Sequence, residues 1–267
     1  MASSKESVLI ASDGKPAILL GRWATEKLYY FKQYCEIFST GMKKWRHRIY
    51  IDLFSGPGLC VIEGIEHPGS PIIALNCKTP FTQYYFIDEN EDFVETLNYR
   101  AKDYQYDKKF INMDCNHAIN ELINQIPKTD ALFFAFIDPY NFEIEFSSIK
   151  QLTEKRPMDL LITFHIGSLK RSIHQPSQKI KRFFPPIDWE ELYRNSVGSN
   201  RIHERILLDV YEQGLKQIGY KYFDEHILTR NIRNAPLYYL IFATKNKTGK
   251  EFYSKISMRS RTGQSRF

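Results

Sequence analysis

Between residues 48 and 165, short unbroken apolar stretches alternate with longer ones whose apolar positions recur at helical spacing. The first kind reads as strands buried on both faces, the second as helices lying on a sheet. Strands are predicted at Arg48 to Asp52, Gln83 to Ile87, Lys109 to Asn112, Ala131 to Ile137 and Met158 to His165. A helix starts near Ser70-Pro71, and a second carries Phe93, Val94, Leu97 and Tyr104. A third, begun at Asn116 or His117, packs Ile119, Leu122, Ile123 and Ile126, and a fourth runs from about Ser147 to Lys155. Strands alternating with helices in this way imply a parallel sheet with right-handed crossovers, an α/β fold.

The flanks extend that plan. Met1 to Leu20 is mixed, with a turn at Asp13-Gly14-Lys15-Pro16, and is expected over the domain surface. Trp23, Leu28, Phe31, Cys35 and Phe38 define a packing helix from Arg22 to about Thr40, with Gly41 placed to stop it. Arg201 to Ile218 is a helix closed by Gly219; Tyr220 to Leu228 and Leu237 to Thr244 then form an antiparallel hairpin. Residues 166 to 200 break the rhythm with a basic, aromatic insertion, read as a lid over the carboxyl edge of the sheet. The expected organisation is an N-terminal segment and helix over 1–47, one α/β domain over 48–250 and a basic, frayed tail over 251–267.

A hydrophobic share of 43% supports a buried core and argues against disorder. With 17 Tyr and 19 Phe, core packing is the simpler use of the rings, and stacking on bases the sharper one. A net charge of +6 is a mild push toward polyanions. The run Lys43 to Arg48 reads either as a solvated loop or as a nucleic-acid contact. Four scattered cysteines without a C-x-x-C pair suit reduced thiols in a cytoplasmic protein, and no apolar run has membrane length. The histidines lack metal-ligand spacing, so no bound metal is expected.

The candidate chemistry lies where strands end. Asp52-Leu53-Phe54-Ser55-Gly56-Pro57-Gly58 closes the first strand with an acid and a turn whose two glycines let backbone approach a ligand. Neither the dinucleotide G-x-G-x-x-G nor the phosphate-loop spacing is present. D-x-F-x-G-x-G instead resembles motif I of class I S-adenosylmethionine-dependent methyltransferases. That resemblance implies cofactor contacts from Phe54, Gly56, Pro57 and Gly58. Asp52 would sit near the cofactor amino group, Asp88 with Glu89 at the ribose, and Asp114 at the adenine, with Phe93 or Cys115 on the ring.

Asp138-Pro139-Tyr140 ends the fourth strand as the reactive candidate, because proline restrains the chain and holds the Asp138 carboxylate toward the edge. It resembles the D-P-P-Y motif of nucleobase amino-methylases, and D-P-Y-N is similar to the D-P-F-G of tRNA guanine-N2 dimethyltransferases. Asn141, His165, Lys170 and Arg171 are the candidate substrate contacts; His165 reads equally as a satisfied, partly buried histidine. No P-C arrangement or G-x-S-x-G elbow offers covalent chemistry.

Taken in order, Trp23-Ala24-Thr25-Glu26-Lys27-Leu28, Tyr50 to Gly58, Gly69-Ser70-Pro71, Phe86-Ile87-Asp88, Phe136 to Tyr140 and Asp159 to Ile162 resemble the three-Cys-motif partner proteins over roughly residues 20 to 255. The resemblance implies a Rossmann-like class I methyltransferase fold and a radical-type partner bearing a three-cysteine motif. The expected activity is amino-group methylation of a nucleobase in RNA or DNA. The alternative is a non-catalytic scaffold for that partner.

Overall fold

A computed structural model describes residues 7–127, 130–195, 203–224, 226–231 and 233–257. The chain opens with strands β1 (Val8–Ile10) and β2 (Pro16–Leu20), then helix α1 (Ala24–Gly41) and strand β3 (His47–Asp52). A short hairpin, β4 (Leu59–Ile62) and β5 (Ile65–Pro68), precedes α2 (Ser70–Leu75). The alternating part continues with β6 (Gln83–Asp88), α3 (Glu91–Arg100), β7 (Asp107–Asn112), α4 (Cys115–Gln125), β8 (Ala131–Ile137), α5 (Phe146–Thr153) and β9 (Met158–Phe164). Three short helices follow, α6 (Ile166–Ser172), α7 (Gln178–Phe183) and α8 (Trp189–Asn195), and then α9 (His203–Gln217). The chain ends through β10 (Tyr222–Phe223), β11 (Ile227–Arg230), β12 (Pro236–Thr244) and α10 (Lys247–Ser257).

The main sheet runs β7-β6-β3-β8-β9-β12, with β10 and β11 both paired to the far side of β12. From β7 to β9 every pair is parallel; β12 lies antiparallel to β9. The register sets Tyr50 opposite Phe134 and Ile137 opposite Ile162, so all five parallel strands end on one edge. Side chains alternate across the pleat. Tyr50, Phe134, Phe136, Leu161, Leu240 and Phe242 pack with α1, α2, α3 and α10, whereas Ile49, Phe133, Leu160 and Ile241 pack with α4, α5 and α9. The result is three layers with two cores.

Several local expectations need correction. Residues 59–68, for which no strand was expected, form a hairpin: β4 pairs in parallel with β2, joining the N-terminal hairpin in a separate four-stranded sheet. The segment 166–195 folds as three helices whose aromatic residues are core rather than lid. Phe183, Phe184 and Trp189 are buried, with Phe184 and Trp189 stacked at 4.5 Å. The expected frayed tail starts inside α10, where Tyr253 is fully buried and stacks on Phe242 at 4.3 Å. Residues 258–267, 196–200 of the insertion and the first two of the helix expected from Arg201 lie outside the described residues. Tyr220 to Leu228 is split into β10 and the start of β11, and Tyr220 instead donates its hydroxyl to the Met158 carbonyl.

Candidate active site at the carboxyl edge

The glycine turn leaves β3 with Gly56 at φ +59° and Gly58 at φ +88°, backbone that side chains rarely adopt. The Gly56 N–H donates to Asp88 Oδ2 at 2.8 Å, and the Asn90 N–H donates to Asp88 Oδ1 at 3.0 Å. The turn and the acid ending β6 therefore stand together on one edge. The Pro57 carbonyl accepts from Arg100 at 2.7 Å, so the turn is tied from α3 as well.

Side chains from neighbouring elements crowd the turn. A Cβ on Gly58 would meet Leu97 Cδ1 at 2.8 Å and Ile72 Cγ1 at 3.2 Å; one on Gly56 would meet Ile18 Cδ1 at 3.0 Å. Asp52 lies beneath the turn. Its carboxylate is fully buried, taking the Tyr50 hydroxyl at 2.7 Å and the Phe54 N–H at 3.3 Å. Through these bonds it braces the turn. Burial drives its pKa up to about 7, against the pull of the Tyr50 and Ser70 hydroxyls.

The other proposed cofactor residues fall nearby in mixed settings. Phe54 is half-buried and packs on the α4 side. Asp88 is half-buried, with its pKa raised by burial and pulled back by its two backbone donors. Glu89 is exposed, and its carbonyl accepts from the Asn112 side chain. Asp114 caps α4 through the N–H groups of Asn116 and His117, at 2.9 and 3.3 Å. Cys115 and Phe93 are core residues, so neither presents an open face; burial pushes the Cys115 thiol well up.

Asp138 ends β8 on the α1 side of the sheet. Its Oδ2 forms an ion pair of 2.5 Å with Lys27 Nζ, and its Oδ1 is buried without a hydrogen-bond partner. Lys27 is itself buried, 5.6 Å from the ring centroids of both Trp23 and Tyr238. Pro139 is buried, whereas Tyr140 is 44% exposed and Asn141 is held by Glu143 through its N–H at 2.8 Å.

His165 follows β9 on the same side, with its ring centroid 6.0 Å from that of Tyr238. One edge of His165 is open, yet Nε2 is shut from water and unpartnered. Burial lowers its pKa to about 4, opposed by the charge of Asp138 and by a hydrogen bond with the Pro139 carbonyl. Lys170 and Arg171 are exposed on α6 at this edge, Arg171 donating to Ser168 at 3.0 Å. The basic run at 43–48 precedes β3 and so flanks the opposite edge. Its Arg48 is spent on the carbonyls of Lys43, Trp45 and Pro80.

Lys27 is the residue that motif reading misses. Its signal was a single charge on the apolar stripe of α1, one turn from Trp23 and from Phe31. A cavity of about 740 Å³ opens between α1, the β4–β5 hairpin and α2, lined by residues including Leu28, Lys32, Glu36, His67 and Lys78. Among the described residues, no three His, Cys, Asp or Glu converge to hold a metal ion, and no helix is long and apolar enough to cross a membrane.

Five parallel strands with an antiparallel strand beside β9, and a glycine turn bonded to the acid that ends the neighbouring strand, define a Rossmann-like α/β fold. No family model matches the sequence, and no curated protein matches it. Among solved structures, the chain is similar to a protein from Legionella pneumophila str. Philadelphia 1 of family-model DUF519. That likeness has a TM-score of 0.56 at 12% identity, covering 89% of this chain and 92% of the other. At that identity it speaks to the fold alone. Looser likenesses are M. jannaschii TYW2 in complex with AdoMet, with a TM-score of 0.44, 11% identity and coverage of 91% and 87%, and an O-methyltransferase from Bacillus cereus in complex with SAH, with a TM-score of 0.45, 8% identity and coverage of 82% and 81%.

Proposed function

We propose that the chain is an S-adenosylmethionine-dependent methyltransferase acting on an exocyclic amino group of a nucleobase in RNA or DNA. The observation that carries this reading is the pairing of two features on one sheet edge. The glycine turn is bonded to Asp88, and Asp138 points a buried, unpartnered Oδ1 into the same edge. The residues fit the cofactor by a further sign, since Ser55 Oγ, within the turn, is also buried without a partner. Gly56 and Gly58 would take the methionine and sugar, Asp88 the ribose hydroxyls and Asp114 the adenine amine.

Bound there, the cofactor supplies an electrophilic methyl group. The protein's part is to hold an amine by its N–H groups and keep water out. Asp138 supplies an acceptor, the exposed Tyr140 ring a stacking face, and Lys170 and Arg171 charge for a phosphate backbone. Ile18, half-buried over Gly56, must swing aside on cofactor entry.

Calorimetric titration with S-adenosylhomocysteine tests the reading. Binding in the micromolar range is expected, with loss of at least about tenfold in Asp88→Ala, one hydrogen-bonded contact's worth. No heat at millimolar ligand would remove it.

The close packing of the turn favours a second reading, a scaffold that retains the fold without catalysis and serves a partner bearing a three-cysteine motif. That reading predicts a stable complex on co-purification with such a partner, unaffected by Asp138→Ala, and no response to S-adenosylhomocysteine.

A further inference from the structure

Helix α1 has a second working face. Its sheet side buries Tyr30, Phe31, Tyr34 and Phe38, whereas a flank from Thr25 to Glu36 lines the cavity of about 740 Å³ shared with the β4–β5 hairpin and α2. That volume is ordinary for a site holding one small molecule. Leu28 and Tyr29 of α1, Ile62 of β4 and Ile73 of α2 give it apolar walls. Its cations are unspent: among the described residues, neither Lys32 nor Lys78 has a carboxylate partner. The one acid of the lining, Glu36, accepts from the Lys78 N–H at 3.3 Å. Gln33 and His67 are half-buried, and their side chains make no hydrogen bond among the described residues. Along α1, Thr25 and Leu28 flank Lys27, which meets Asp138 at the carboxyl edge, so the cavity adjoins the candidate site. Thr25 to Glu36 then spans about 16 Å of helix leading away from that edge.

We infer that this cavity holds one nucleotide of a single-stranded nucleic acid whose target base lies at the carboxyl edge. The inference deepens the methyl-transfer reading, on which it rests for the choice of polymer, by naming where the strand is gripped. A nucleotide is a flat ring with two π-faces and a polar edge, joined to its neighbours by anionic phosphates. The cavity offers a counterpart to each part. Tyr29 gives a ring for stacking, and Leu28, Ile62 and Ile73 give apolar contact. The Gln33 amide can donate to and accept from a base edge. Lys32 and Lys78 supply charge for the flanking phosphates. Only an unpaired base fits this description, because in a duplex the ring is stacked and its pairing edge is taken. A free nucleotide makes the cavity contacts alone, whereas a strand adds the charge of Lys170 and Arg171 at the edge.

The test is fluorescence anisotropy of the full chain, without cofactor, on a short labelled single strand of mixed sequence, in RNA and in DNA form. Micromolar-range binding of at least one form is expected, about tenfold or more tighter than to the matching duplex or, by competition, to adenosine monophosphate. Lys32→Gln combined with Lys78→Gln should weaken strand binding and lower its salt slope by about 1.4, two phosphate contacts at about 0.7 each. Tyr29→Leu should weaken it roughly fivefold or more with the slope kept, the worth of one stacked base. Gln33→Trp fills the cavity from a half-buried position and should do the same. Lys150→Gln combined with Lys179→Gln removes equal charge from exposed positions on α5 and α7 and should change little.

Equal losses from the two lysine pairs, full binding by Gln33→Trp, or a duplex or adenosine monophosphate bound as tightly as the strand would each overturn the inference. So would no strand binding at roughly 0.1 mM protein, the weak end for non-specific contacts. The cofactor reading is scored apart from this one. Strand binding that depends on the cavity, in a protein giving no heat with S-adenosylhomocysteine, would uphold the strand site and remove methyl transfer. The converse result would remove the strand site alone.

Discussion

Asp52 shows how a motif residue can serve the fold more than the ligand. A free aspartate titrates at 3.8, and burial moves this one to about 7. The folded state thus holds the proton more tightly than the unfolded chain. Asp52's contribution to stability is complete below pH 3.8 and is lost as pH rises through about 7. Asp159 behaves alike, raised by burial to about 6 while the Thr244 and Tyr34 hydroxyls oppose the rise. Asp52→Asn should flatten the decline of the urea midpoint between about pH 4 and pH 7. A slope identical to wild type would mean that Asp52 is charged in the fold. The acids after the strands were legible in the sequence because they interrupt apolar runs. Their hydrogen-bond partners were not: the Tyr50 hydroxyl reads as an ordinary strand aromatic, and Lys27 lies far from Asp138 along the chain.

At the scale of elements, α1 does more than cover the sheet. It brings Lys27 to Asp138 and, two turns on, the Tyr34 hydroxyl to Asp159 Oδ2 at 2.5 Å, where Thr244 of β12 holds the other oxygen. Helical periodicity predicted α1 within two residues at its N-terminal end and one at its C-terminal end, because its apolar stripe is long. It gave no sign of the four-stranded sheet, whose outer strands β1 and β5 are short and largely exposed.

Arg100 links that small sheet to the site. Its guanidinium pairs with both oxygens of Asp13 and with the carbonyls of Pro16 and Pro57, the last lying between the two glycines. Asp13 is held below the usual carboxylate range, chiefly by this bond. Arg100→Met should raise amide hydrogen exchange across residues 8–20 and 55–68 by about tenfold or more, with little effect on β8 and β9. Uniformly faster exchange would instead make Arg100 a global support.

For the molecule as a whole, sheet order places every candidate on one edge. β3 supplies the turn, β6 Asp88, β8 Asp138 and β9 His165, each at or just past its strand's carboxyl end. The alternation of apolar runs was enough to read that order in outline, since buried parallel strands need apolar residues on both faces. Packing across the turn was beyond it, because Ile18, Ile72 and Leu97 come from three separate elements and meet only in the folded chain. Ile18 packs over Gly56, and Ile72 and Leu97 over Gly58, so side chains from three elements cover the turn.

A crystal structure with S-adenosylhomocysteine tests the central claim most directly. The account predicts Ile18 displaced, the ligand lying across Gly56 to Gly58 with its ribose hydroxyls on Asp88, and its sulfur facing Asp138. Ligand density only in the cavity between α1, the β4–β5 hairpin and α2, or an unaltered Ile18 contact with the turn at millimolar ligand, would contradict it.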